Sequence, residues 1–331
     1  MSGQSNGTAS TTPADLGAAR QKGRGREADA PNALPPRAWR ELLGRVFADI
    51  GRDRVMLIAA GVTFYLLLAL VPALTAFVAI YGLFADQSTV LDHISLLEGI
   101  VPAGGLDILR EQLQRLVSEG NTALGWTLAI SLAIALWSAS AGIKAMFEAM
   151  NIAYEEDEDR GFIKISALGL AFTLGMAVAA ALSLAAVIVM PALVAILPIG
   201  PAVSWLVRIL SYVLLVAVLV VGLAALYRWG PARQQARWRW ITPGAAAAVL
   251  LMIVASLIFS FYVANFGNYN ATYGSLGALI GFLTWMWISI TLVIMGAELN
   301  SELEHQTARD TTTGEERPMG ERGAYVADTI G

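Results

Sequence analysis

The chain has 331 residues, of which 56% are hydrophobic and only 15% are charged, whereas soluble domains carry about 25% charged residues. It has no cysteine and two histidines, His93 and His305, so disulfides, thiol nucleophiles and a multi-histidine metal centre are excluded. The net charge of −4 says little, because the charges lie in clusters between long uncharged runs. This composition predicts an integral membrane protein with no metal and no cofactor.

Both ends of the chain have a polar, low-complexity composition. Residues 1–37 are rich in Gly, Ala, Ser, Thr and Pro and carry a basic cluster at 20–26. They contain no apolar run followed by a small-residue cleavage site, so they are not expected to be a signal peptide. The composition predicts a disordered basic N-terminal tail over 1–37 and a disordered C-terminal tail over 307–331. Residues 38–306 remain as the membrane domain.

Two segments outside the apolar runs have the spacing of amphipathic helices. In residues 38–53, one face carries Trp39, Leu42 and Val46, which suits either a helix in the headgroup region or an ordinary packed helix. In residues 106–117, leucines recur at helical spacing before Gly120, which predicts a helix that lies on the outer membrane surface or, as we favour, caps the bundle.

The apolar runs have the length of membrane spans, since one crossing takes about 20 apolar residues. Between Arg239 and Glu298 there is no charged residue, and this run is long enough for two spans joined by a turn. The pattern predicts an all-α fold, a bundle of six transmembrane helices with amphipathic interfacial helices. The predicted spans are about 55–84, 123–146, 165–190, 203–227, 241–264 and 275–295.

The basic residues predict the orientation of the bundle. Of the 22 Lys and Arg residues, Lys144 lies at the basic-loop end of the second span, and all but three of the others lie in the two terminal segments, the second loop or the fourth loop; the three are Arg110, Arg115 and Arg208. Because positive loops stay in the cytoplasm, both termini are predicted to be cytoplasmic and the number of spans to be even.

Four stretches together resemble the YihY/BrkB family of bacterial inner-membrane proteins, once labelled ribonuclease BN. They are Ala59–Tyr65 with Leu70-Val-Pro72, Trp137–Asn151, Tyr227–Pro231, and Tyr273–Gly277 with Trp285 and Gly296–Asn300. They occur in order and extend over roughly residues 40–304. The resemblance implies a six-helix protein of the bacterial inner membrane, and it supplies no catalytic residue.

The strongest candidate for a functional site is a polar cluster at the cytoplasmic ends of two spans. Lys144 and Glu148 end the second span, whereas Glu298 and Asn300 end the sixth. Ionisable groups at span ends commonly face the bundle interior and pair, so the cluster could be a gate that binds an ion or a headgroup. The alternative is a structural ion pair of Lys144 with Glu298 or Glu148, because span ends tolerate charge through snorkelling.

A second candidate is the outer turn between the last two spans. Its amides and hydroxyls, on Asn265, Asn268, Tyr269, Asn270 and Tyr273, could bind a sugar or phosphate headgroup. Turn chemistry and the preference of Tyr for membrane interfaces explain the same residues.

Three functions are compatible with the sequence. The favoured one is a transporter or a protein that handles lipids or amphiphiles, with membrane lipids as partners, a lipid or amphiphile as cargo and no nucleic acid. The second is a membrane scaffold that acts through its tails. The third, a ribonuclease or other hydrolase, would depend on the acidic run Glu155–Asp159, which has the pattern of a solvated loop. No enzymatic activity is expected, and a homo-oligomer is compatible with the sequence.

Overall fold

The structure is a computed structural model that describes residues 11–21, 23–82, 124–184, 201–266 and 277–331. Its regular elements in these ranges are helices, with one isolated antiparallel bridge between Ala236 and Thr312. The predicted amphipathic cap at 106–117 lies outside the described residues.

Six long helices form the body of the described part of the molecule. They are α3 (Val55–Gly82), α4 (Leu124–Ala153), α5 (Phe162–Leu184), α6 (Pro201–Trp229), α7 (Trp238–Phe266) and α8 (Gly277–His305). Three shorter helices lie near the termini: α1 (Pro13–Ala19), α2 (Pro36–Arg52) and α9 (Tyr325–Asp328). A 3-10 turn, Pro31–Ala33, precedes α2.

The all-helical prediction is confirmed for the described residues, but the number of spans is not. Four helices, α5 to α8, are long and apolar enough to cross a membrane. A fifth span is counted if α2 and α3, which meet at a bend of 60°, are taken together as one broken span. Helices α3 and α4, with 28 and 30 residues, are also long enough for one crossing, but neither is counted as a span by itself. Six spans therefore stay a prediction.

The six long helices are arranged as a ring that follows the order of the chain. Each helix from α3 to α7 packs on the next one, and α8 closes the ring by packing on both α7 and α3. The contact of α5 with α6 is the least extensive of the six. Chain order therefore decides most of the neighbours, since consecutive elements commonly pack together, and α8 in addition contacts α4.

One end of the ring, here called the basal end, collects the terminal segments and the loops 154–161 and 230–237. These loops contact each other through a hydrogen bond that the Arg160 guanidinium donates to the Gly230 carbonyl at 2.7 Å. Both loops also contact the C-terminal segment: the Tyr325 N–H donates to Glu156 at 2.8 Å and the Gln234 N–H donates to the Gly323 carbonyl at 2.9 Å. The opposite end of the ring is called the distal end.

The hydrophobic core of the described helices lies mainly in the basal half of the ring. Its fully buried large side chains include Phe147, Met150, Tyr227, Ile241 and Ile294. Close backbone approaches also lie there: a methyl group at Gly244 would come 2.1 Å from the Gly296 carbonyl oxygen. Small residues at such a crossing allow two membrane helices to pack backbone against backbone.

The distal halves of the helices are far more exposed. On α6, Trp205, Leu206 and Leu210 are 64%, 63% and 59% exposed, whereas Ser211 is the one buried side chain described between 203 and 222. Successive residues turn by about 100° on a helix, so exposed apolar side chains surround most of this part of α6. A surface of this kind suits the hydrocarbon of a bilayer rather than water.

Helix α2 has features of both predicted arrangements, the ordinary packed helix and the helix in the headgroup region. Ala38, Leu42 and Val46 are buried in a small core that also contains Trp240 of α7 and Leu303 of α8. Phe47 nevertheless remains 70% exposed. One face of α2 is therefore packed like an ordinary helix, while Phe47 is free to reach an interface.

Both terminal segments, which composition predicts to be disordered tails, make specific contacts over their described residues. Arg26 is buried and donates to the carbonyls of Gln306 and Gly331 at 3.0 and 2.6 Å. In the C-terminal segment, the buried Asp328 accepts the N–H groups of Gly320, Arg322 and Gly323 at 2.7 to 3.1 Å. Polar residues that would be solvated in an isolated chain are here bonded to backbone, which composition alone does not reveal.

Candidate functional site

Asn300 occupies the crossing of α7 and α8 at the basal end. Its side chain is fully buried, and its Oδ1 accepts the Gly244 N–H at 2.8 Å. Gly244 follows Pro243, whose ring has no N–H to donate within the helix. The Nδ2 of Asn300 makes no hydrogen bond of good geometry in the part of the chain that the structure describes, although the Tyr154 hydroxyl lies close to this side chain. A buried amide with an unused donor is a group that a ligand or a water could satisfy.

Glu298 is buried close to Asn300 in sequence but lies on another side of α8, because two residues turn a helix by about 200°. It is 3% exposed, and its Oε1 has no partner among the described atoms. The charged groups around it are mostly acidic, with Asp53 and Asp49 of the α2–α3 corner foremost. The nearby Arg52 instead pairs with Asp49 at 3.1 Å and with Asp53 at 3.3 Å.

Lys144 and Glu148 do not join Glu298 and Asn300. Glu148 is exposed, and the Lys144 ammonium lies over the rings of Trp137 and Phe162, at 4.9 and 5.9 Å from their centroids. Within the described ranges, no ion pair joins Lys144 to either glutamate. The four residues predicted as one cluster are thus at the same end of the ring but on different surfaces, and the predicted Lys144 pairs do not form.

The second predicted site cannot be compared with the structure, apart from one residue. Asn268, Tyr269, Asn270 and Tyr273 lie outside the described residues. Asn265 is exposed and its Nδ2 donates to the Phe261 carbonyl at 2.8 Å, a bond within its own helix. A headgroup site at this turn stays a prediction.

An ion pair between Arg233 and Glu304 was not foreseen from the sequence. The two side chains are 2% and 0% exposed, and their nearest N and O atoms are 2.7 Å apart. Glu304 also accepts the Thr311 hydroxyl at 2.6 Å, and the Arg233 guanidinium lies 5.0 Å from the Tyr154 ring centroid. Burial alone would lower the pKa of Arg233, but the charge and hydrogen bonds of Glu304 outweigh it and raise that pKa.

The acidic loop is more structured than a solvated run would be. Glu155 pairs with Arg52 at 2.9 Å, and Glu158 accepts Arg160 through both carboxylate oxygens at 2.7 and 2.6 Å. Glu156 is largely buried against the C-terminal segment, and that burial raises its pKa to about 7. Three of the five acidic residues therefore hold the basal end together, while Asp157 and Asp159 are exposed.

The described residues contain no group of three His, Cys, Asp or Glu side chains placed to hold a metal ion. The acidic residues near Glu298 are instead distributed between an arginine-paired corner and the helix α8. That no cofactor and no metal are required remains an expectation of the sequence.

The ring of long apolar helices with a polar basal end defines a polytopic helical membrane protein. The family model for the virulence factor BrkB matches residues 46–320, so the chain belongs to the BrkB family of membrane proteins. The resemblance found in the sequence motifs is thereby confirmed.

Named relatives agree with this assignment. The chain is 29% identical over 275 residues to the ribonuclease-like protein YfkH of Bacillus subtilis, covering 80% of this chain and 94% of the relative. It is 28% identical over 271 residues to a UPF0761 membrane protein of Neisseria meningitidis serogroup B, covering 76% of this chain and 61% of the relative. A UPF0761 membrane protein of Xanthomonas campestris is 36% identical over 100 residues, 30% of this chain and 23% of that relative. No solved structure matches the chain.

Proposed function

We propose that the protein lies in the bacterial inner membrane, with both termini in the cytoplasm, and that it moves or handles a lipid or another amphiphile. The orientation is supported by the arginines gathered at the basal end, including Arg26, Arg233 and Arg322. Positive segments are retained in the cytoplasm, so the basal end is taken as the cytoplasmic end.

The observation that carries the proposed activity is the contrast between the two halves of the ring. The basal half is closed by packed side chains such as Phe147 and Ile241, whereas the distal half of α6 exposes apolar side chains around most of its circumference. Acyl chains can approach between helices that are not packed tightly together, and a lipid-soluble cargo needs no water-filled path. The exposed apolar surface of the distal half of α6, above a packed basal core, suits such a cargo.

The buried polar groups at the base give the cargo's polar end a partner. Glu298 and Asn300 each carry a buried polar atom that has no partner among the described residues. Buried polar atoms without partners are costly; a proton or a donor group of a headgroup would satisfy Glu298, and an acceptor oxygen of a headgroup would satisfy the Asn300 amide. Under the proposal, the α8 turn that carries these two residues is the inner limit of the path that the cargo takes.

The absence of enzymatic activity is also part of the proposal. The name ribonuclease-like belongs to the Bacillus relative. In this chain Glu155, Glu156 and Glu158 are engaged in contacts at the basal end. Purified protein with Mg²⁺ and RNA should leave the RNA intact, and cleavage that Asp157→Ala abolishes would contradict the proposal.

A scaffold that acts through free tails is less well supported. Residues 23–35 and 307–331 contain buried side chains, and Arg26 joins the two segments through the Gln306 and Gly331 carbonyls. A homo-oligomer remains a prediction.

Reconstitution into vesicles tests the proposed activity. Vesicles containing a fluorescent phospholipid in both leaflets are treated with a membrane-impermeant quencher, and the fraction quenched is measured with and without protein. The proposal expects protein to raise that fraction above one half, and Glu298→Gln to change the rate while the exposed Lys164→Gln does not. Protein-containing vesicles that behave like empty ones, with each of several headgroups and also with a lipid precursor, would contradict it.

A further inference from the structure

The Lys144 side chain lies in an aromatic setting on the outside of α4 and α5. Its ammonium is 4.9 Å from the Trp137 ring centroid and 5.9 Å from that of Phe162, and these two rings are 6.0 Å apart. The stem of the lysine runs past Gly169, where an added methyl group would come 3.3 Å from its Cγ. Gly169 leaves room for the lysine stem, and the two rings attract the positive charge of its ammonium.

No anion balances this charge in the described part of the chain. Neither Glu148 nor Glu298 pairs with Lys144, and no other carboxylate lies within 4.0 Å of its ammonium there. The other cation that faces two aromatic rings, Arg228, is different: it lies over Trp229 and Trp238 but donates to the Ala236 carbonyl and to Gln235. Lys144 therefore keeps its full capacity to bind an anion.

The surroundings of Lys144 decide which anion fits. Trp137, Phe162 and Ile163 are 52%, 69% and 83% exposed, and Phe162 begins α5 at the basal end. Aromatic side chains at this level of a membrane helix sit at the boundary between headgroups and acyl chains. A free phosphate would satisfy the ammonium and leave these apolar surfaces uncovered, whereas a phospholipid covers them with its acyl chains.

We propose that Lys144, with Trp137 and Phe162, forms a binding site for the phosphate of an anionic phospholipid in the leaflet on the basal side. The ammonium donates to the phosphate oxygens, and the two rings and Ile163 contact the glycerol region and the first acyl carbons. The site does not depend on transport. It requires only that the helices stand in a bilayer, so it can hold even if the proposed activity fails.

Lipid titration of the full chain tests the site. Purified protein in detergent is titrated separately with phosphatidylglycerol, phosphatidylcholine and inorganic phosphate, and the bound ligand is counted by native mass spectrometry. Phosphatidylglycerol should bind more tightly than the other two. Lys144→Gln should weaken it about tenfold, as expected for loss of one charge-assisted contact, and Lys144→Arg should retain it.

Two further variants keep the test decisive. Lys164→Gln removes one positive charge from an exposed side chain of α5, and it should change affinity by less than about twofold because exposed charges are screened. Trp137→Leu keeps the lysine but removes the nearer of the two rings, so it should weaken binding about threefold. If Lys144→Gln does not fold, Trp137→Leu replaces it as the test variant. Equal losses in Lys144→Gln and Lys164→Gln, or equal affinity for the three ligands, would overturn the proposal.

Discussion

Arg233 and Glu304 form an ion pair from which water is excluded, although 71 residues separate them in the chain. Arg233 lies in the loop between α6 and α7, and Glu304 lies in the last turn of α8. Thr311 and Tyr154 complete the surroundings. This one contact therefore joins a loop, a long helix, the end of α4 and the C-terminal segment.

Removing one partner of this pair should destabilise the protein strongly. Arg233→Met leaves the Glu304 charge buried without its cation, and a single unpaired charge in such a place costs about 3–5 kcal/mol. The double variant Arg233→Met with Glu304→Leu should recover most of that loss, because an apolar pair of similar volume removes the uncompensated charge. Thermal unfolding in detergent measures both effects.

The exposed pair of Arg37 and Glu41 is the matched control for that experiment. Its atoms are 3.3 Å apart, but the arginine side chain is 72% exposed, so Arg37→Met should change stability by less than about 0.5 kcal/mol. If Arg233→Met lowered the free energy of unfolding no more than this control, the buried pair would not stabilise the basal end as described.

The crossing of α7 and α8 should tolerate no side chain at Gly244. Its added methyl group would meet the Gly296 carbonyl oxygen at 2.1 Å and Asn300 at 2.5 Å, so Gly244→Ala should cost about 3 kcal/mol through overpacking. Gly281→Ala is the control, since a methyl group there meets nothing within 4 Å and alanine favours a helix. Equal unfolding temperatures for the two variants would show that the helices do not cross as described.

Glu156 should make stability fall as the pH rises. Burial raises its pKa from 4.5 to about 7, so between these values the folded chain keeps a proton that the unfolded chain releases. The contribution of Glu156 to stability is highest below pH 4.5, declines between pH 4.5 and 7 and is lowest above 7, a change of up to about 3 kcal/mol. Arg233, Glu304 and Asp328 are the charged groups that face this carboxyl.

Glu156→Gln isolates this effect from other titrating groups. The amide oxygen can still accept the Tyr325 N–H, so the variant should be more stable than the original chain at pH 8 and similar to it near pH 4.5. Unfolding temperatures recorded across this range measure the difference. A difference between the two proteins that did not change with pH would contradict the assignment.

The C-terminal segment should resist proteases until Asp328 is removed. Asp328 accepts three backbone N–H groups at 2.7 to 3.1 Å, and without it the turn at 320–324 loses its anchor. Asp328→Ala should increase the rate of trypsin cleavage at Arg322 at least about tenfold, since cleavage follows local opening. If the original chain were cut as fast as the variant, the segment would be a free tail.

The helical membrane fold could be predicted from sequence because hydropathy is a local property. The apolar runs extend over α5 to α8, and their charged flanks mark the ends. Span ends were less certain: α8 extends to His305, ten residues beyond the predicted 295. The carboxylates in its last turns are buried by the terminal segments rather than exposed to water.

The site was harder to predict because it depends on the angle around a helix and on distant partners. The sequence predicts similar depths in the membrane for Lys144 and Glu298. In the structure, the ammonium of Lys144 faces Trp137 and Phe162, whereas Glu298 faces the α2–α3 corner. Similar depth does not make two side chains neighbours. Close helix crossings depend on the fold in the same way: a methyl group at Gly281 would meet nothing within 4 Å, whereas Gly244 and Gly296 lie at a tight crossing.

The proposed orientation puts the basal end of the protein in the cytoplasm and the distal end on the outside. Because the chain has no cysteine, Gln234→Cys at the basal end and Asn268→Cys at the predicted outer turn can each be tested on a clean background. A membrane-impermeant thiol reagent added to intact cells should label Asn268→Cys only, and both variants should be labelled after the membrane is opened. Labelling of both variants in intact cells, or of Gln234→Cys alone, would contradict the account.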